Sequence, residues 1–84
     1  VQTCALPILT KIEQYAIDRV RDRRNQLGLT QDDLAIKSGY SSGFIATVEA
    51  GKKGKKYNLN NLLAFAKAMK CSPRVFLPED TSNF

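Results

Sequence analysis

Four lysines fall within five residues, Lys52, Lys53, Lys55 and Lys56, and ammonium groups at that density suit the oxygens of a polyanion. The stretch "GKKGKK" has a superficial likeness to a phosphate-binding loop. It follows a helical segment, lacks a Ser or Thr after its lysine and has the wrong glycine spacing, so that chemistry is set aside. Other reactive groups are scarce. The two cysteines, Cys4 and Cys71, have no histidine to join, so neither a zinc quartet nor a Cys–His nucleophile can be assembled within one chain. With 84 residues there is little room for an active-site cavity, and no enzyme activity, metal or cofactor is expected. Thirteen Lys and Arg against eight Asp and Glu leave a net charge of +5, which favours nucleic acid first and an anionic membrane second. No apolar run approaches the roughly 18 residues needed to cross a bilayer. "VQTCALPIL" has no basic leader or cleavage site, so the expected setting is cytoplasmic and reducing, without a membrane.

The elements that must hold these groups are helical. From Ile12 to Leu27 the apolar residues Ile12, Ala16, Ile17, Val20 and Leu27 recur at three-and-four spacing, with Gly28 placed to stop a first helix. Thr30, with Asp33 three residues on, forms a shortened capping box for a second helix over Gln31–Ser38. Gly39 suits a left-handed turn, Ser41 caps a third helix running to Ala50, and Gly51 ends it. "KKGKKYN" reads as irregular. Leu59, Leu62, Leu63, Ala66 and Met69 then mark a fourth, core-facing helix behind Asn58, and Ser72–Pro73 start a short fifth one, "SPRVFL", which Pro78 closes. Residues 1–11 read as a disordered or artefactual extension, 12–78 as one domain, and 79–84 as a fraying tail. The opening "VQTCALPI" resembles a translated sequencing-adapter fragment, which would leave Cys4 without meaning. Cys71 reads as a buried small hydrophobe.

Two short helices joined by a glycine-containing turn of three to four residues are the helix-turn-helix arrangement. "QDDLAIKSGYSSGFIATVEAG" fits it in detail: Ala35 allows a close crossing, Gly39 makes the turn, and Ile45 and Val48 pack back on the second helix. From Ile12 through Leu77 the sequence resembles the phage-repressor or Xre-type, lambda-repressor-like helix-turn-helix family, most strongly in "GLTQDDLA", "SGYSSGFIATVEAGK", "NLLAFAKAM" and "CSPRVFL". The resemblance implies an all-α, five-helix DNA-binding domain that regulates transcription and is usually dimeric on double-stranded DNA. It assigns Gln31 and Ser41 to phosphates, Ser42, Gly43 and Thr47 to base edges, and Arg24 and Glu49 to a buried ion pair between the first and third helices. The sequence departs from the family pattern at Arg23 and Ser38, which replace apolar residues, at Lys70, which replaces a common glycine, and at base-reading positions without long side chains.

At about 100° per residue, Ser42, Gly43, Ala46, Thr47 and Ala50 share one arc of the third helix, opposite Ser41, Phe44, Ile45, Val48 and Glu49. The small arc should face outward, with Ala46 or Thr47 methyls available to thymine and the Ser42 hydroxyl to any base edge. Beside such a helix the lysines read as phosphate contacts. Two other functions share these features. One is an antitoxin that binds both its operator and a toxin protein; the other is a protein-interaction module that has lost DNA binding.

Overall fold

Thr10 and Glu13 close the first turn of the described structure on each other. The Thr10 N–H donates to Glu13 Oε1 at 2.9 Å, and the Glu13 N–H donates to Thr10 Oγ1 at 3.3 Å. This reciprocal cap starts α1 (Lys11–Gln26). The computed structural model describes residues 9–82 and Phe84, and Cys4 with the rest of Val1–Ile8 lies outside the described residues. α1 stops where Gly28 takes a φ of 71°, letting its N–H reach Asn25 O and the Leu29 N–H reach Arg24 O, both at 3.0 Å.

The next two helices have the expected caps. Thr30 and Asp33 exchange bonds of 2.9 and 3.0 Å at the head of α2 (Gln31–Ser38), and Ser41 Oγ accepts from the Phe44 N–H at 3.0 Å at the head of α3 (Ser42–Glu49). Between them the chain reverses at Gly39, φ 84°. α4 (Leu59–Ala68) begins with the Asn58–Asn61 cap, bonded both ways at 2.8 and 2.9 Å. It ends at Lys70, a left-handed non-glycine residue with φ 56°, after which the Cys71 N–H turns back to Ala66 O at 2.9 Å.

Three sequence expectations need correction. The fifth helix is one 3₁₀ turn, Pro73–Phe76, because Leu77 precedes Pro78 and is forced into extended backbone, φ −119° and ψ 149°. The segment after Gly51 is more regular than its composition suggests, with a 3₁₀ turn at Lys52–Gly54. The apolar stripes are also narrower than read. Ile12, Leu27, Leu59 and Leu63 are exposed, Leu59 to 77%. They sit at the ends or flanks of their helices, where no element among the described residues covers them.

α2 packs on both α3 and α4, α1 crosses α3, and the last 3₁₀ turn fills the gap between α1 and α4. At the centre lie Ile17 and Val20 from α1, Leu34 from α2, Ile45 and Val48 from α3, Phe65 from α4, and Phe76. Each such side chain contributes on the order of 1.5–3 kcal/mol by leaving water. Cys71 is half-buried against this core. At the chain end Phe84 meets Tyr15 edge-on, with ring centroids 5.5 Å apart.

Candidate nucleic-acid interface

Burial of Ile45 and Val48 fixes the rotation of α3, and the opposite arc turns outward as a result. Gly43 and Ala50 are exposed there, with Ser42, Ala46 and Thr47 half-buried between them. A Cβ added at Gly43 would meet no atom within 4 Å, so nothing among the described residues fills the space above that residue. The polar groups on the arc differ in what they can offer. Thr47 Oγ1 donates to Gly43 O at 2.8 Å, which commits its proton to the helix and leaves its lone pairs and methyl for an outside partner. Among the described residues Ser42 makes no side-chain hydrogen bond, so its hydroxyl can both donate and accept.

The C-terminal end of α3 is fixed by a charge cluster. Arg24 Nη2 and Nε donate to Glu49 Oε1 and Oε2 at 2.8 and 3.1 Å, and Arg24 Nη1 donates to Leu29 O at 2.9 Å. Both side chains are nearly covered, at 11% and 7% exposure. Gln31 joins them, its Nε2 donating to Glu49 Oε1 at 3.0 Å. The first duty of the Gln31 side chain is therefore to Glu49. What it leaves at the head of α2 is one further amide hydrogen and the unbonded backbone N–H groups of the first turn, a setting that attracts anions. Ser41 is exposed, with its hydroxyl already capping α3.

The lysines do not behave as one group. Lys52 and Lys55 are exposed, and the side chain of Lys53 lies outside the described residues. Lys56 Nζ is 2.8 Å from Glu13 Oε2 on the first turn of α1. Its hydrogen bond is the largest cause holding the Glu13 carboxyl below the usual carboxylate range, with the Thr10 backbone bond next.

Tyr57 follows directly and is buried in an aromatic cluster, 4.8 Å from Phe65 and 5.8 Å from Phe44 by ring centroids. Among the described residues its hydroxyl has no hydrogen-bond partner. Burial pushes that phenol well above its ordinary range; the Glu49 charge adds to the shift and Arg24 opposes it.

The helix-turn-helix family matches residues 20–76, which contain α2, α3, the lysine segment and α4. The chain belongs to the helix-turn-helix family. It is a DNA-binding transcriptional regulator of that family, with a lambda-repressor-like all-α fold. It is similar to the restriction-modification controller protein C.AhdI from Aeromonas hydrophila, at 30% identity and a TM-score of 0.66 over 75% of this chain and 92% of that one. The P22 c2 repressor, solved with a synthetic operator, is 35% identical, with a TM-score of 0.63 over 77% of this chain and 96% of its own. A variant of the controller C.Esp1396I reaches a TM-score of 0.71 at 25% identity, over 82% and 85% of the two chains. A search of curated proteins gives no match.

Three features of this helix-turn-helix protein escape a reading of its sequence. The "TKIE" run, Thr10–Glu13, carries the capping-box spacing that starts α1 and could have been found. Glu13 as the partner of Lys56 had no local signal, because the two residues meet only after α1 and the α3–α4 connection pack. Tyr57 stands in a run too polar to suggest burial.

Proposed function

We propose that this regulator lays α3 in the major groove of duplex DNA, with Ser42, Gly43, Ala46 and Thr47 toward the base edges. The head of α2, at Gln31, and the head of α3, at Ser41, lie against phosphates on one flank. Exposed Lys52 and Lys55 neutralise phosphates on the other. The observation that carries this reading is the outward arc of α3, small enough to allow close approach and bordered by exposed lysines. Short side chains give few bidentate contacts, so much of the sequence preference comes from the shape and deformability of the DNA.

The functional unit is a homodimer working in the cytoplasm as a regulator without catalytic activity, its half-sites about one helical turn, ~34 Å, apart. Similarity to controllers and a phage repressor supports control of transcription over toxin binding. Binding selection from a randomised duplex pool tests the proposal. A palindromic site is expected to be enriched, and saturated protein should footprint both half-sites. Enrichment of no sequence, or a single asymmetric half-site, would overturn it.

A further inference from the structure

Glu13 and Arg24 lie on the same face of α1. They are eleven residues apart, three turns plus about 20°, which separates them by about 16 Å along the axis. Each grips the connection between α3 and α4: Arg24 holds Glu49 where the connection begins, and Glu13 holds Lys56 near its end. The connection is therefore a strap pinned to α1 at its two ends, through Glu49 and through Lys56. Lys52 lies at the α3 end and Lys56 at the far one.

We propose that Glu13 withholds Lys56 from DNA and so limits the affinity of this protein for all duplexes alike. The inference rests on the reading of the lysine strap as a phosphate-binding element. Two oxygens of one carboxylate do different work here: Oε1 accepts from the Thr10 N–H, and Oε2 takes Lys56. The helix cap thus orients the carboxylate that the lysine meets. Removing the charge frees a cation on a flexible four-carbon stem, in a segment already turned toward a polyanion. Because Glu13 touches no base-reading residue, its effect is independent of DNA sequence.

Glu13→Gln is the informative variant, since glutamine serves equally in the capping box and removes only the charge. Binding to a mixed-sequence duplex about three helical turns long is measured by fluorescence anisotropy across a salt series. Glu13→Gln is expected to bind more tightly at low salt, with the slope of log K against log salt steeper by about 0.9, the contribution of one added phosphate contact. Lys56→Ala in the native background should leave the slope unchanged, and Lys56→Ala added to Glu13→Gln should restore the native slope. An unchanged or shallower slope in Glu13→Gln overturns the inference, as does a slope already lowered by Lys56→Ala alone. If the native protein shows no salt-dependent binding at all, the phosphate reading of the strap has failed instead, a separate result.

Discussion

Arg24 and Glu49, twenty-five residues apart in sequence, meet through two parallel hydrogen bonds of 2.8 and 3.1 Å and tie the end of α3 to α1. Glu49 also accepts from Gln31, so α1, α2 and α3 converge on one carboxylate. Glu49→Ala should leave the guanidinium uncompensated under cover and lower stability by roughly 3–5 kcal/mol. Replacing both partners with apolar residues of similar volume should cost much less. Chemical denaturation of the single and double variants measures the difference; a single-variant loss below about 1 kcal/mol would assign the pair the weight of a surface ion pair.

Tyr57 places a hydroxyl in the aromatic cluster where no acceptor among the described residues meets it. Tyr57→Phe should therefore fold with equal or greater stability, by up to about 1 kcal/mol, because only a desolvated polar group is removed. Tyr57→Ala, which also deletes the ring between Phe44 and Phe65, should lose about 3–5 kcal/mol. Thermal melts of the two variants separate the value of the ring from that of its hydroxyl.

Lys70 ends α4 in the left-handed region, which costs a residue with a Cβ roughly 1–2 kcal/mol. Lys70→Gly should keep the Cys71 to Ala66 hydrogen bond and raise stability by about 0.5–1 kcal/mol, part of the gain being offset by glycine's greater freedom when unfolded. A denaturant midpoint that does not rise would show that the lysine side chain makes a compensating contact.

Gly43 weakens α3, since glycine inside a helix costs about 0.5–1 kcal/mol relative to alanine. The protein itself has no steric need for it, because an added Cβ meets nothing. Gly43→Ala should thus be more stable to denaturant and yet bind its selected DNA site more weakly, as the methyl enters the space the groove would occupy. Tighter or unchanged binding would remove Gly43 from the interface.

Much of this architecture is legible in local sequence. Thr30, Ser41 and Asn58 announce helix starts because a cap is a contact between residues three apart, and Gly39 announces its turn because few other residues tolerate that backbone. The helical stripe by itself overreaches. Leu59 and Leu63 keep the period of α4 but lie where no element covers them, which depends on the neighbours and not on the period. The outward placement of the small-residue arc follows from the period of α3 alone. The partition of the lysines does not, because the grip of Glu13 on Lys56 joins segments more than forty residues apart.

Phe76 is completely enclosed, and it comes from the final turn, which packs against α1 at the other end of the domain. During synthesis, then, α1 to α4 have left the ribosome before the residue that seals the interior arrives. Until Phe76 emerges from the exit tunnel, the groove between α1 and α4 stays open, and the nascent domain presents that apolar lining to any chaperone that meets it.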